Sequence, residues 1–495
     1  MNFGLSPLSV VIFFPLLGFL VILFLKENQH NAIRWTGLVT SILEFGVALW
    51  VLAQFNPAQA SMQMEINLPW LQIAGLPVAY HLGIDGLSIL MVLLTTFLTP
   101  LAILSTWKSI EQRLKGFMLV FLLEETAMLG VFLSLDLILF FTFWEFSLVP
   151  MFFLIGIWGG VNRLYAAIKF ILYTMAGSIF MLVAIIVAGL TAGTFSLTGM
   201  AGGSAFSAVL QTWLFLGFGI GFAVKVPLWP LHSWLPDAHT EAPTAGSVDL
   251  AAVLLKMGTY GFLRFCFTLF PLATRQFAPW VAGLAIVGIL YGAAVAYMQK
   301  DMKKLVAYSS VSHLGFVVLG LFALTQQSVA GGILQMINHG LSTGALFLIV
   351  GMIYERRHTR EMDEFGGLWK AMPVLGALAL IVTLSSMALP GLNGFVGEFN
   401  ILLGAFNSTI LGSPWFAGVA ALGVILGAVY LLHFFQKVFL GPLSRPENLA
   451  LKDLDAREII ILAPILVMIF WIGLYPQPFL NLIGPTVTQL LTLFK

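Results

Sequence analysis

Charge is scarce in this sequence. Aspartate, glutamate, lysine and arginine make up 9% of its 495 residues, where a soluble domain carries about 25%. Hydrophobic residues make up 59%, and the mean hydropathy is +0.98. That balance excludes an ordinary water-soluble globule and points to an integral membrane protein. The formal net charge is +1, which offers no grip on nucleic acid or another polyanion. Cysteine is nearly absent as well. The single Cys266 excludes an internal disulfide and any cysteine-held zinc or iron–sulfur site. No Walker loop, dinucleotide glycine fingerprint, haem motif or nucleophile elbow stands out. Long polar stretches are missing too. The longest connections are about 56–84, 355–372 and 440–457, so no large soluble domain is expected.

What the chain has in abundance is apolar runs. A helix crosses a bilayer with about 20 apolar residues. Runs bounded by polar, glycine or proline breaks give fourteen spans, near 5–25, 33–54, 85–106, 116–134, 137–158, 166–193, 210–228, 247–270, 279–298, 305–324, 331–354, 373–405 (broken), 416–438 and 458–475. The first run lacks a basic leader and a small-residue cleavage site, so it reads as a retained helix. Charge placement tests the count. If the spans alternate, the connection after span 1 and every second one thereafter share a side. That side collects every lysine and arginine except Arg264, Arg275 and Lys495 on the opposite side, and Lys225 and Lys256 inside spans. Such asymmetry follows the positive-inside rule. It places the basic side in the cytoplasm and both termini outside.

Few ionisable residues fall at membrane depth. Glu145 interrupts the apolar run "LFFTFWEFSLVPMFFLIG" of span 5. Lys225 lies in span 7, Lys256 in span 8, His313 in span 10, His339 in span 11 and Glu398 in span 12, while Glu124 and Glu125 sit mid-span in span 4. Charges at depth are costly, face the bundle interior and mark ion or proton paths. One such residue is explained by a structural ion pair; a row along successive helices is not. Burial and a nearby opposite charge act against each other on lysine and glutamate alike. A pair that approaches and separates therefore takes up and releases a proton. Histidine titrates near neutrality and suits the intermediate steps.

Two of these residues sit beside helix breaks. "FAVKVPLWPLHSWLP" places Lys225 two residues before Pro227, and "MALPGLNGFVGEFNILL" places Glu398 after Pro390. Proline removes a backbone donor and clashes one turn back. In transporters interrupted helices mark the ion site, often once in each repeated half. The breaks lie five spans apart. The spacing predicts an all-α polytopic fold with two five-helix repeats, spans 4–8 and 9–13, and the odd repeat length inverts the second copy. The expected division is 1–112 (helices 1–3), 113–272 (first repeat), 273–440 (second repeat) and 441–495 (helix 14).

Other polar features read as local structure. His232, Asp237, His239 and Glu241 in "LPDAHTEAPTAGSVDLA" match no zinc spacing, so this segment is expected to be a surface polar loop and no metal site is assigned. Asp85 in "GIDGLS" and Asp136 before span 5 read as helix caps. "ERRHTREMDEFGG" (355–367) reads as a solvated loop of mixed charge. The 43 Phe and 13 Trp suit lipid and helix contacts and call for no cofactor.

"FTFWEFSLVPMFFLIGIWGG", "FAVKVPLWPLHSWLPDAHTEAPTAGSVDLAAVLLKMGTYG", "LVAYSSVSHLGFV", "LQMINHGLSTGALFLIVGMIYERRHTREMDEFGG" and "LPGLNGFVGEF" resemble the antiporter-like membrane subunits of respiratory complex I, over nearly the whole chain. Within that family the chain is most similar to the M-type subunits. Glu398 stands where the L and N sister subunits and the cation/proton antiporter subunits usually carry lysine, and the long lateral helix of subunit L is missing. The resemblance implies an inverted five-helix repeat and a proton-translocating subunit of a complex I-type quinone oxidoreductase. It implies that Glu145 pairs with Lys225, that Lys256, His313 and His339 form a central axis, and that Glu398 stands near the outlet. It further implies flavin, iron–sulfur clusters and quinone in other subunits, with no cofactor in this chain. The implied setting is a bacterial inner membrane (a thylakoid in a photosynthetic relative) with L- and N-like neighbours. The adjacent pair Glu124–Glu125 departs from the family pattern and reads as an accessory proton site or a contact to a neighbouring subunit. The alternatives built on the same fold are a sodium/proton antiporter subunit and a membrane subunit of a hydrogenase or formate-oxidising complex.

Overall fold

The computed structural model describes residues 6–443 and 445–495. Among them, thirteen helices are long and apolar enough to cross a membrane: α1 (Pro7–Phe24), α2 (His30–Gln54), α3 (Ile89–Ser109), α4 (Leu114–Leu133), α5 (Leu137–Trp158), α6 (Arg163–Ala192), α7 (Ala208–Lys225), α8 (Thr244–Leu269), α9 (Pro271–Tyr297), α10 (Met302–Phe322), α11 (Gln326–Arg357), α13 (Trp415–Phe439) and α14 (Ala456–Leu474). The remaining expected crossing, α12, is two half-helices, Pro373–Ser386 and Asn393–Phe406. Helices dominate because hydrocarbon offers no partner to a free backbone amide.

The middle of the bundle is α8, α10 and α11. The most apolar windows of α8 and α11 are 100% buried and that of α10 94%, against 33–39% for α1, α2, α6, α9, α13 and α14. The three most enclosed helices therefore carry Lys256, His313 and His339. The outer helices turn apolar residues such as Leu172, Phe180, Trp213 and Ile425 outward, the surface a lipid or a neighbouring helix covers.

Both expected breaks are present. α7 stops at Lys225, and a short helix, Trp234–Glu241, continues after a non-helical stretch. α12 opens between Met387 and Leu392, where Ala388 and Gly391 take φ of +58° and +94°. A left-handed turn at Gly391 carries no Cβ penalty.

The two halves repeat one device. At the start of α5, Asp136 accepts hydrogen bonds from the amides of Ile138 (2.9 Å) and Leu139 (3.3 Å). Beside it, Leu137 N donates to Phe195 O and Leu197 N to Leu135 O, pinning the connection after α6. At the start of α10, Asp301 accepts from Lys303 N (2.7 Å) and Lys304 N (3.2 Å), while Met302 N donates to Arg360 O and Met362 N to Lys300 O. Five crossings separate the two starts, so they lie on opposite faces, as an inverted repeat requires.

Two elements stand outside the sequence reading. The connection at 56–84 is not simply polar: Gln63–Ile73 (β1) and Leu76–Ile84 (β2) pair as an antiparallel hairpin. Its turn residues, Ala74 and Gly75, both take positive φ, the geometry whose twist matches the strands. After α14, Gln477–Leu491 forms one more helix, α15, whose Thr486 accepts from Gly86 N at 3.2 Å.

Candidate functional site

α8, α10, α11 and the second half of α12 bring four predicted residues into one connected group. Lys256 Nζ meets His339 Nδ1 and donates to the carbonyl of Ala251, both at 2.5 Å. Ala251 is within reach because α8 is π-helical at Leu250–Leu254, and again at Phe262–Cys266 beyond the lysine. Such insertions re-aim side chains and recur at functional sites. The rings of His339 and His313 lie 6.0 Å apart, and His339 Nε2 is buried without a partner. Between them is a cavity of about 10 Å³, lined also by Gln335, Asn338, Ser342, Ser385 and Gly394, room for about one water molecule. His313 Nδ1 then meets Glu398 Oε1 at 3.0 Å, and Tyr430 hydroxyl meets His313 Nε2 at 3.2 Å.

The break in α12 supports this end of the row. Gln335 Nε2 donates to Glu398 Oε1 at 3.1 Å, and Gln335 Oε1 accepts from Asn338 Nδ2 at 3.1 Å. Asn338 Nδ2 also donates to Asn393 O at 2.8 Å, at the first residue of the second half-helix. A Cβ at Gly397 would strike the Gln335 oxygen, so glycine there lets α12 close on α11 beside Glu398.

The other end of the predicted row is looser. Lys225, the last residue of α7, is 1% exposed, donates to Ser147 Oγ at 3.4 Å and stands 5.1 Å from the Trp144 ring. Glu145 is half-buried with one carboxyl oxygen enclosed and unpartnered. The expected Glu145–Lys225 pair is therefore not in direct contact. Ser147 and Trp144, which flank Glu145 in α5, receive the ammonium instead, although the two charges still act on each other through space.

Several readings need correction. The segment at 234–249 is not a surface loop: it folds as a helix and the start of α8, and His239 is 0% exposed with its ring 4.6 Å from that of Phe347. Both His239 ring nitrogens lack partners, and the group lies in electrostatic range of Lys256 and Lys303. Among the described residues no group of three His, Cys, Asp or Glu could hold a metal. Arg264 belongs to α8 rather than to a connection. It grips Asp85 with both arms, at 2.8 and 2.5 Å, and its Nε donates to the Tyr260 hydroxyl at 2.9 Å. Asp85 also accepts from Leu87 N and Ser88 N, so it is a turn cap and a buried ion-pair partner at once. The loop 355–367 is a clasp: Arg356 pairs with Glu458 at 2.6 Å and Arg360 with Asp301 at 3.1 Å. Sequence reasoning missed Glu44 on α2 and Asp249 on α8, buried acids whose carboxyl oxygens have no partner. Their only signal was a lone acid inside an apolar run.

Comparison with known proteins agrees with this fold. Residues 134–427 match the family described as NADH:quinone oxidoreductase/Mrp antiporter, transmembrane region. NADH-quinone oxidoreductase subunit M of Rhodobacter capsulatus is 46% identical over 98% of this chain and 96% of its own length. NADH-ubiquinone oxidoreductase chain 4 of Marchantia polymorpha is 43% identical over 98% and 97%. A chain of respiratory complex I from Thermus thermophilus superposes with a TM-score of 0.89 at 33% identity, covering 99% of this chain and 100% of that one. A chain of an archaeal membrane-bound sulfane sulfur reductase superposes at 0.82 with 25% identity, over 94% and 76%. On these matches the chain belongs to the NADH:quinone oxidoreductase/Mrp antiporter transmembrane family.

Proposed function

We propose that this chain is the M-type proton-translocating subunit in the membrane arm of a complex I-type quinone oxidoreductase, and that Glu145, Lys225, Lys256, His339, His313 and Glu398 carry the proton. The observation that carries the reading is the contact chain Lys256–His339–His313–Glu398 through the most enclosed helices of the bundle. Each neighbour in it can both give and take a proton, and a single water fits the one gap. Redox chemistry belongs to other subunits. A change passed from a neighbouring subunit shifts the balance between Glu145 and Lys225, and the proton moves from Lys225 by way of Lys256 and the histidines to Glu398.

The basic face belongs in the cytoplasm by the positive-inside rule, which puts the hairpin and both termini on the other side of a bacterial inner membrane. The five-helix units are 113–272 and 273–440, flanked by 1–112 and 441–495. The exposed apolar outer helices suit L- and N-like neighbours and lipid.

The test is Lys256→Met, and separately Glu145→Gln, in the assembled complex reconstituted in vesicles. Both should assemble and lose proton movement coupled to quinone reduction. Full coupling in both variants would overturn the relay.

A further inference from the structure

The relay has a gap: no contact joins Lys225 on α7 to Lys256 on α8. Around that gap stand four carboxyl side chains outside the predicted row or assigned no place in it: Glu44 on α2, Glu124 and Glu125 on α4, and Asp249 on α8. Each is 0–1% exposed, and none of their carboxyl oxygens has a hydrogen-bond partner. α4 packs against α2, α3, α5 and α8, so these helices share one region of the bundle. The groups act on one another in order. Glu125 acts on Glu44, Asp249 acts on both Glu125 and Glu124, and Lys225 acts on Glu124.

Acidity alone would assign nothing to such a group of residues. The independent sign is Lys225. Its ammonium can donate three hydrogen bonds, yet it is 1% exposed, forms no ion pair and has one hydrogen bond of 3.4 Å, to Ser147. A buried, under-bonded cation thus stands in electrostatic range of Glu124, on another helix. At the far side, Asp249 precedes Lys256 on the same helix by about two turns, with the π-helical stretch Leu250–Leu254 between them. Unpartnered carboxyls are among the costliest groups a membrane interior can hold. A role in carrying protons accounts for Glu124 standing in range of one relay lysine, Lys225, and Asp249 standing on the helix of the other, Lys256.

We propose that Glu124 and Asp249 form a carboxyl bridge that carries the proton between Lys225 and Lys256, a step that rests on the relay reading above. The transfers balance. Asp249 as the acid gives its proton to the Lys256 amine, leaving a carboxylate and an ammonium. Glu124 as the acid refills Asp249, and the Lys225 ammonium refills Glu124 and becomes an amine. One proton has crossed the gap and both carboxyls are restored. Glu125 and Glu44 lie off this line, toward α2.

The test uses the intact complex in vesicles with Glu124→Gln, Glu124→Asp, Asp249→Asn and Glu44→Gln. Quinone reduction with the gradient collapsed reports assembly and electron transfer; proton uptake per electron reports coupling. E124Q and D249N should each lower coupled proton movement about tenfold or more, E124D should recover a substantial part of it, and E44Q should match wild type. Infrared difference spectra during turnover should lose a protonated-carboxyl band in E124Q and D249N. Normal coupling in E124Q and D249N, or an equal loss in E44Q, overturns the bridge. If E124Q does not assemble, E124D and D249N decide the matter, because a relay acid moved by one methylene still carries a proton. The two readings fail separately. Loss of coupling in K256M and E145Q with normal E124Q and D249N removes only the bridge, whereas normal coupling in K256M and E145Q removes the relay itself.

Discussion

Arg264 shows how strongly one buried cation depends on its partner. It is 4% exposed, and each of its three guanidinium nitrogens donates to Asp85 or Tyr260. Removing one member of such a pair strands the other charge, at a cost of about 3–5 kcal/mol. Arg264→Gln should therefore lower the thermal inactivation temperature of the purified complex, and Asp85→Asn combined with it should restore most of the loss. His313 makes a contrasting case, since it bonds Glu398 on one ring nitrogen and Tyr430 on the other. His313→Ala removes the only ring linking His339 to Glu398, and vesicle assays should show coupled proton movement falling about tenfold or more with the complex still assembled. These residues also mark what the sequence could tell. Lys256, His313, His339 and Glu398 were legible because a titratable group in an apolar run has few uses. Direct pairing of Glu145 with Lys225 was an inference from family resemblance, and the side chains of Trp144 and Ser147 intervene. His239 was misread because a stretch rich in proline, aspartate and histidine has the composition of a loop, and its burial comes from packing on α11 that no local pattern encodes.

At the scale of elements, the breaks were legible and their closure was not. Proline and glycine announce where α7 and α12 stop. What seats the second half of α12 against α11 is the absence of a side chain at Gly397. Gly397→Ala should force Gln335 away from Glu398, at about 1–3 kcal/mol for the crowding. The expected signs are a lower melting temperature and weaker coupled proton movement, because Glu398 loses the donor on Oε1. The β1–β2 hairpin went unseen for a different reason. Its outward face carries Leu68 and Trp70, 40% and 46% exposed, so the alternation that marks a half-buried strand is blurred. One anchor is distant in the chain, Ala79 N donating to Asp136 Oδ2 at 3.1 Å, while within the hairpin His81 pairs with Glu65 at 2.6 Å. The π-helical turns of α8 were equally hidden, since one extra residue in a turn leaves no compositional mark.

For the whole molecule, the basic face ties the ends of distant helices together. Asp455 caps α14, accepting from Glu458 N at 2.9 Å, and pairs with Lys108 at the end of α3 at 2.6 Å; Arg457 and Glu458 of its own helix stand beside it. Asp363, in the connection before α12, pairs with Lys437 at the end of α13 at 2.7 Å. Partial burial pushes the Asp455 carboxyl upward, but its bonds from Lys108 and the Glu458 amide outweigh that and hold it below the usual aspartate value. The hydrogen bond and charge of Lys437 hold Asp363 below it too. A carboxyl held low in the folded state contributes stability above its unfolded value, about 3.9, and loses it as pH falls through the folded value. Both clasps are therefore fully formed at neutral pH and should release only in acid below about pH 4. Asp455→Asn keeps a competent cap but drops the charge. Its melting temperature should fall less than that of wild type when pH is lowered from about 5 to about 3, and added salt should shrink the difference, since both pairs are solvent-accessible and screened. An equal acid-induced fall in the variant would place the pH sensitivity elsewhere on this face and leave Lys108–Asp455 as a contact without a role in holding α3 to α14.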